Sequence, residues 1–192
     1  MISLEIALQT VVTVLNERGV PYAVMGGLAV RVYAIPRFTN DVDLTISIDR
    51  QELPLLFDAF HAVGIEIPPP YRAGWLDSVA GLPLFKADLF QDERSIEIDI
   101  FVSETEFQHS LIQRRRKIET PAGEIWFVTP EDLILLKLIA SRPRDLIDVQ
   151  DIMFTLGQLD VQYMEYWAKE LSIAEALLDA LNQYSNETGD DT

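Results

Sequence analysis

Two aspartates alternate with apolar residues in the segment Asp41-Val42-Asp43-Leu44. On a β-strand, residues i and i+2 point to the same face, about 6–7 Å apart along the backbone, so Asp41 and Asp43 are predicted to project together. Neighbouring carboxylates repel each other, and aspartate is disfavoured inside strands. Mg²⁺ removes this conflict because it takes oxygen ligands, commonly one or two carboxylates together with substrate phosphates. The pair is therefore predicted to bind Mg²⁺ or Mn²⁺.

A third acid, Asp99, lies in the equally apolar segment Ile96–Phe101. Three acids on neighbouring strands can hold two metal ions ~4 Å apart, which is the arrangement for in-line phosphoryl or nucleotidyl transfer. Glu97 shares the predicted strand face with Asp99, so either acid is a candidate for the third position. The alternative is that these acids are surface carboxylates, with Arg37 as an ion-pair partner of the first two.

Gly26 and Gly27 lie between a short apolar stretch and a segment with helical periodicity. Backbone without side chains can approach a triphosphate closely, and a helix N-terminus directs its N–H groups and positive dipole end at an anion. A glycine pair alone is more often a turn. Followed by an Asp-x-Asp strand, it is predicted to seat the phosphates of a nucleotide.

The Gly-Gly pair, a spacer and the segment Arg37-Phe38-Thr39-Asn40-Asp41-Val42-Asp43-Leu44 together resemble the signature of the DNA polymerase β-like nucleotidyltransferase superfamily. The resemblance covers residues 21–102. It implies transfer of a nucleoside monophosphate from a nucleoside triphosphate to an acceptor, with Mg²⁺ or Mn²⁺ as cofactor. The positions that it implies are the catalytic metal ligands Asp41, Asp43 and Asp99, and the nucleotide-binding residues Gly26, Gly27, Arg37 and Thr39.

Later motifs resemble those of uncharacterised bacterial nucleotidyltransferases related to AbiEii-type toxins. They are Thr129–Leu133, Lys137 and Arg142–Asp148. This resemblance implies that Lys137 and Asp148 contribute to nucleotide binding, with Asp145 as the rival for the second place. It also implies an antitoxin or another partner protein that controls the enzyme.

Lys137 stands out without the resemblance, because it is the only polar residue between Leu133 and Ala140. A lysine in such a helix must extend its ammonium to solvent or meet an anion, and we interpret Lys137 as facing a triphosphate. Asp145, Asp148 and Asp151 recur every three residues, so a solvated helix stripe is the alternative explanation for Asp148.

Hydrophobic periodicity predicts the elements that position these residues. Helices are predicted at 3–18, 28–33, 51–63, 130–142, 145–156, 161–171 and 173–184. Strand-like segments are predicted at 21–25, 41–48, 84–90, 96–102, 117–120 and 124–128, with turns at 91–94 and 122–123 and an irregular loop from Pro68 to Gly74. This pattern predicts an α/β (α+β) fold with a small mixed β-sheet flanked by helices.

The domain organisation follows from the change of pattern near residue 128. Residues 1–128 are predicted to form the α/β nucleotidyltransferase core, and 129–184 a helical C-terminal region that packs on it. Thr129 and Pro130 are a strong helix start, with threonine as N-cap and proline at the first position. The polar and acidic residues 185–192 are predicted to be a disordered tail.

The composition excludes several classes of protein. The chain of 192 residues has a formal net charge of −16 and no cysteine, so disulfide frameworks and thiolate sites are excluded. The acidic balance makes nonspecific nucleic-acid binding unfavourable. No apolar run approaches the ~20 residues of a membrane span, and the N-terminus resembles an amphipathic helix rather than a secretion signal. A cytoplasmic location without membrane attachment is predicted.

The acceptor of the predicted transfer is left open between a small molecule such as an aminoglycoside, a protein hydroxyl and a tRNA 3′ end. The basic run Arg114–Lys117 is an argument for RNA, although a solvated helix end is the preferred explanation of it. Two alternatives to the transferase remain at this point. One is a non-catalytic nucleotide- or partner-binding module of the same fold, and the other is a metal-dependent hydrolase using the same acids.

Overall fold

The structure, a computed structural model, describes residues 3–79, 81–91, 94–121 and 123–189. The contacts of the chain divide it into two units. The first comprises Met1–Leu28 and Phe38–Val128, and the second Ala29–Arg37 and Thr129–Thr192. The chain leaves the first unit for the last time after Val128, which is where the sequence pattern changes to helix.

The first unit contains a mixed β-sheet. In chain order its strands are β1 (Tyr22–Val24), β2 (Val42–Ile46), β3 (Ile65–Glu66), β4 (Asp77–Val79), β5 (Leu82–Gln91), β6 (Arg94–Val102), β7 (Arg116–Thr120) and β8 (Gly123–Phe127). Their spatial order is β3-β5-β6-β2-β1-β8-β7, with β4 paired to β5 outside this path. The pairs β2–β6 and β1–β8 are parallel and the others are antiparallel. The predicted small mixed sheet flanked by helices is confirmed.

The helices fall into both units. Those that begin in the first unit are α1 (Leu4–Glu17), α2 (Gly26–Tyr33), α3 (Leu53–Ala62), α4 (Pro69–Arg72) and α5 (Glu106–Arg114), with a 3₁₀ turn at Arg50–Glu52. The second unit contains α6 (Pro130–Ala140), α7 (Pro143–Leu156), α8 (Val161–Glu170) and α9 (Ala174–Thr188). Within the described residues, no helix is both long and apolar enough to cross a membrane.

One face of the central strands is entirely apolar, and this face anchors the sheet. Its fully buried side chains on β2 and β6 are Val42, Leu44, Ile46, Ile98, Ile100 and Val102. Helix α1 packs on both strands, and α5 contacts β2. Burying such a side chain contributes roughly 1.5–3 kcal/mol relative to leaving it exposed. The core therefore holds the strand register, because a slip by one residue would bury the acids instead.

Helix α6 of the second unit begins as its sequence predicts. The Thr129 hydroxyl accepts a hydrogen bond from the Asp132 backbone N–H, and Pro130 occupies the first turn. This cap satisfies one of the N–H groups that a helix N-terminus leaves without an intrahelical partner. Helix α6 contacts α7, and Leu133 on α6 and Val149 and Ile152 on α7 are fully buried.

Several predicted boundaries differ from the structure. The stretch predicted as an irregular loop contains α4, since proline is compatible with the first turn of a helix. Helix α5 is missing from the predicted helices because its sequence is polar around Phe107 and Leu111, although the basic run was interpreted as a helix end and α5 does end at Arg114. Helix α9 continues to Thr188, beyond the predicted end at 184. The predicted turn residues Asp92, Glu93 and Ala122, and residues 190–192 of the predicted tail, lie outside the described residues.

Candidate active site

The two aspartates of the predicted metal site lie at the start of β2. Asp43 is the second residue of the strand, and Asp41 precedes Val42, where the strand begins. Both aspartates are half-buried, while Val42 and Leu44 between and after them are fully buried. The alternation places both carboxylates on the face opposite the apolar core.

Asp99 joins them through the register of the sheet. On the parallel strands β2 and β6, Asp43 and Asp99 are paired residues, so their side chains leave the same face of neighbouring strands. Glu97 shares this face with Asp99 because it lies two residues earlier. We call the surface formed by Asp41, Asp43, Glu97 and Asp99 the acid face.

The glycine pair opens α2 directly beside the acid face. A Cβ atom on Gly26 would lie 1.8 Å from Asp43 Oδ2, and one on Gly27 would lie 2.5 Å from Thr39 Oγ1. The Thr39 hydroxyl in turn donates a hydrogen bond to Asp41 Oδ1 at 2.5 Å. Each glycine therefore makes room for a side chain that forms or holds the aspartate pair. This packing explains why two glycines stand here, whether or not they also seat a phosphate.

Gly26→Ala is expected to disturb the site more than the fold. Gly26 has φ +61°, a left-handed conformation that costs an alanine about 1–2 kcal/mol, and its new methyl group would displace the Asp43 carboxylate. We expect metal-dependent nucleotide binding to fall at least about tenfold, since metal-site partners typically matter at that level. Calorimetric titration with a nucleoside triphosphate and Mg²⁺ measures this.

Gly19→Ala is the matched control for this prediction. Gly19 has a similar φ of +66°, but a Cβ atom there would meet nothing within 4 Å. Both variants carry the cost of alanine at a positive φ, and Gly26→Ala adds the clash with Asp43, so only Gly26→Ala should lose binding. Equal binding by the two variants would contradict the proposed packing role of Gly26.

Lys86 is a site residue that the sequence reasoning missed. It lies on β5 as the cross-strand partner of Asp99, with its Nζ atom 2.9 Å from Glu97 Oε1 and 3.3 Å from Asp99 Oδ1. The hydrogen bond to Glu97 raises the pKa of Lys86, although burial opposes the shift. The lysine is therefore charged at all ordinary pH values, and it contacts both candidates for the third acid.

The environment of Asp99 favours a nearby cation. Burial raises the pKa of Asp99, and the carboxylates of Glu97 and Asp41 add to the shift, whereas Lys86 opposes it. The Oδ1 atom of Asp99 is buried and, within the described residues, accepts no hydrogen bond of good geometry. A carboxylate in this state gains from any positive charge placed beside it.

The acid face fits a hard divalent ion at Asp41 and Asp43 better than at Asp99. Hard ions take carboxylate oxygens, and the first two acids lie together at the start of β2. Across the described ranges 3–79, 81–91, 94–121 and 123–189, however, no group of three or more His, Cys, Asp or Glu side chains could hold a metal ion. The third acid is instead paired with Lys86. The assignment of all three acids as metal ligands stays a prediction.

An aromatic pair lies near the same end of the sheet. The rings of Tyr71 and Trp75 stack with their centroids 5.5 Å apart, and Trp75 is exposed while Tyr71 is buried. Burial raises the pKa of the Tyr71 hydroxyl, on which the charges of Asp77, Lys86 and Asp99 also act. The loop that contains α4 therefore presents an exposed ring close to the acid face.

In the second unit, Lys137 lies in a buried ionic cluster. Its Nζ atom is 2.8 Å from Asp145 Oδ1 and 2.8 Å from Asp148 Oδ2, and only 4% of Lys137 is exposed. Both aspartates are fully buried, so the solvated-stripe explanation for them is wrong. Asp145 and Asp148 were alternative predictions for one position at the nucleotide, whereas in the structure both form ion pairs with Lys137.

Arginines complete this ionic cluster. Arg37 donates two hydrogen bonds to Asp148, at 2.8 and 2.9 Å, and Arg142 Nε donates one to Asp145 at 2.6 Å. Burial alone would raise the pKa of each aspartate, but the hydrogen bonds from Lys137 and these arginines outweigh it and hold both pKa values below their ordinary range. The roles predicted for Lys137, Asp148 and Arg37 at the nucleotide stay predictions.

The basic run Arg114–Lys117 is divided between two elements. Arg114 is the last residue of α5, and Arg116 and Lys117 begin β7. Arg115 lies over the Trp126 ring, 4.6 Å from its centroid, and Lys117 lies 5.3 Å from the same centroid. Part of the run is thus engaged in packing on β8.

The sheet order, with the acid pair at the start of β2 and a glycine-opened helix beside it, defines the class as a nucleotidyltransferase fold. Residues 5–187 match a family described as "Nucleotidyltransferase of unknown function (DUF6036)", and the chain belongs to this family. No curated protein sequence matches the chain. The predicted membership of the nucleotidyltransferase superfamily and the prediction of a transferase are confirmed, and the relation to AbiEii-type toxins stays a prediction.

Solved structures share the fold over most of the chain. An antigenic nucleotidyltransferase-like protein from Paracoccidioides brasiliensis is 19% identical with a TM-score of 0.53, covering 93% of this chain and 92% of that chain. ANT(2″)-Ia, solved in complex with adenylyl-2″-tobramycin, is 14% identical with a TM-score of 0.55, covering 94% and 98%. A protein from Helicobacter pylori described as a nucleotidyltransferase is 15% identical with a TM-score of 0.50, covering 94% of this chain and 80% of that chain. At these identities the likeness establishes the fold.

Proposed function

We propose that the protein transfers a nucleoside monophosphate from a nucleoside triphosphate to a hydroxyl acceptor and that the transfer depends on Mg²⁺ or Mn²⁺. The observation that carries the proposal is the pairing of Asp43 with Asp99 on parallel strands, with Gly26 packed against the Asp43 carboxylate. Membership of a nucleotidyltransferase family supports it.

Asp41 and Asp43 would hold the metal ion, with Asp99 as the third acid. When bound, the ion would supply positive charge that neutralises the phosphates and stabilises the charge developing in transfer. Thr39 holds the Asp41 carboxylate in place by its hydrogen bond. The N–H groups at the start of α2, at Gly26 and Gly27, face the phosphates in this proposal.

The transfer itself is an in-line displacement. The acceptor oxygen forms a bond to the α-phosphorus while the bond from that phosphorus to the oxygen bridging to the β-phosphate breaks. Pyrophosphate leaves with the electron pair of the broken bond, and the acceptor proton passes by way of the acid face to water. The chain contributes chiefly position and electrostatic stabilisation, as is usual in phosphoryl chemistry.

A thermal-shift panel tests the proposal. Each of the four common nucleoside triphosphates is added with and without Mg²⁺ or Mn²⁺ to the wild type and to Asp43→Asn. A ligand at about 100 times its Kd stabilises a protein by about 2.7 kcal/mol, or about 5–10 °C for a chain of this size. A metal-dependent shift that is lost in Asp43→Asn supports the proposal, and equal shifts in both proteins would contradict it.

A non-catalytic nucleotide- or partner-binding module is the second candidate. One observation favours it, namely that Asp99 is engaged by Lys86 rather than grouped with two other acids in the described part of the chain. Release of pyrophosphate from a bound triphosphate in the presence of acceptor distinguishes the two candidates. Release of inorganic phosphate or nucleoside monophosphate without acceptor would indicate a hydrolase instead.

The acceptor and the biological setting are finer parts of the proposal. A small-molecule hydroxyl, a protein hydroxyl and a tRNA 3′ end are the acceptor classes to compare, with labelled nucleotide and each class in turn. The resemblance to relatives of AbiEii-type toxins adds control by an antitoxin or other partner protein. Co-purification of a partner that blocks incorporation of label would support this regulatory setting.

A further inference from the structure

The third carboxylate of the candidate site lies beside a cation that the chain itself supplies. Lys86 pairs with Asp99 across β5 and β6, and Asp99 pairs with Asp43 across β6 and β2. Lys86 is therefore placed on the acid face by the register of neighbouring strands. That register is held by the buried residues of the opposite face, so the position of Lys86 does not depend on a surface loop.

The Lys86 ammonium lies beside the carboxylates that a second ion would use. Its Nζ atom is 3.3 Å from Asp99 Oδ1 and 2.9 Å from Glu97 Oε1. A Mg²⁺ ion ligated by the same oxygen would lie about 2.1 Å from it, so the two cations would share one carboxylate. Like charges at such separations repel each other, although water reaches Lys86 and weakens the repulsion, since its side chain is 37% exposed. A second ion at Asp99 is therefore disfavoured while Lys86 stays in place.

The other two acids are placed differently. Asp41 and Asp43 lie two residues apart at the start of β2, and Asp41 accepts a hydrogen bond from the neutral hydroxyl of Thr39. A neutral donor positions the Asp41 carboxylate without cancelling its charge. On the acid face, Lys86 thus contacts Asp99 and Glu97, whereas the proposed function assigns the metal ion to Asp41 and Asp43.

We propose that Lys86 takes the place of a second divalent ion beside Asp99, so that the site binds one Mg²⁺ or Mn²⁺, at Asp41 and Asp43. The inference rests on the proposed function, because it concerns how many ions that same site uses. Lys86 is a positioning residue in this arrangement, since it acts by holding Asp99 and Glu97 in place. In this arrangement the site has three aspartates, Asp41, Asp43 and Asp99, but binds a single divalent ion.

Counting bound Mn²⁺ tests the inference. The full chain is titrated with Mn²⁺ alone, and the paramagnetic resonance signal of free Mn²⁺ gives the number of ions bound. The wild type should bind one ion, and Lys86→Met should bind two, since Asp99 and Glu97 then lack their cation. Lys86→Arg keeps the charge and should bind one. The double variant Lys86→Met with Asp99→Asn should also bind one.

Lys117→Met is the matched control. Lys117 forms a cross-strand ion pair of the same kind, with its Nζ atom 2.9 Å from Glu124 Oε2 on the β7–β8 hairpin. This variant should bind the same single ion as the wild type. An additional ion in Lys117→Met would show that any lysine removal creates a site, and would overturn the inference.

Failure of the inference differs from failure of the proposed function. Two ions bound to the wild type, or equal counts in the wild type and Lys86→Met, would overturn the role of Lys86. The metal site itself is tested by Asp43→Asn, which should lose the common ion. Retention of that ion by Asp43→Asn would overturn the proposed metal site whatever Lys86→Met shows.

Discussion

Asp43→Asn is expected to lower kcat/KM for nucleotidyl transfer by about a thousandfold or more, because groups that stabilise transition-state charge typically contribute on this scale. Asparagine has nearly the shape of aspartate, so it fits the space that Gly26 leaves beside residue 43. The fold should therefore survive. Steady-state kinetics with saturating metal, together with a thermal melt, measure both expectations.

Asp88→Asn is the control for this prediction. Asp88 lies on β5 opposite Glu97, and so on the same side of the sheet, but it is not among the predicted metal ligands. The activity of Asp88→Asn should stay within about fivefold of the wild type, which corresponds to a change of less than about 1 kcal/mol. Comparable losses in both variants would show that the general negative charge of this surface matters, and not the ligand position of Asp43.

Lys137→Met is expected to lower the free energy of unfolding by about 3–5 kcal/mol, because removal of one partner leaves uncompensated charge in a buried ionic cluster. Lys137 is the shared partner of Asp145 and Asp148, both fully buried. A loss of this size is a large fraction of the 5–15 kcal/mol that is typical of domains. Urea unfolding of the purified variant measures it.

Lys169→Met is the control, since Lys169 is an exposed residue in the last turn of α8 and should change stability by less than about 0.5 kcal/mol. Adding Asp145→Asn to Lys137→Met should recover part of the loss, because the two side chains are in contact. A loss below about 1 kcal/mol in Lys137→Met would contradict the structural role of the cluster.

The same cluster predicts how stability depends on pH. The pKa values of Asp145 and Asp148 are lower in the folded state than in the unfolded chain. Their contribution is therefore fully present above the unfolded pKa of about 4 and is lost as the pH falls through the folded values. Without Lys137 the folded pKa values rise, so acid unfolding of Lys137→Met should begin at a higher pH than in the wild type.

The fold was predictable where pattern and chemistry agree. The segments around Val42 and Ile98 alternate strictly, and α6 begins with the predicted Thr129 cap. Sequence periodicity failed for α5, whose apolar stripe is narrow and whose capping box, Thr105 with Gln108, lies in an otherwise polar stretch. It also could not reveal that residues 29–37 group with the C-terminal helices, because such contacts are long-range.

The sequence identified the residues of the candidate site, but it did not show which of them form ion pairs with each other. The aspartates of β2 stand out because carboxylates are unusual in an apolar strand. A lysine in an alternating hairpin carries no such signal, so Lys86 was missed. The predicted turn at 91–94 could have identified Lys86, because a hairpin that pairs Gln91 with Arg94 also pairs Lys86 with Asp99. Likewise, Lys137 was expected to meet an anion, and the anions are two aspartates of the chain itself.

The parallel pairing of β2 with β6 has a consequence for how the protein folds. Asp43 and Asp99 become neighbours only after the intervening segment, which includes α3 and β5, has closed into a loop. Contacts between residues far apart in sequence form slowly, since the entropy of loop closure must be overcome first. The site can therefore assemble only after β6 has been synthesised and docked, and a nascent chain that ends before β6 presents only the β2 aspartates.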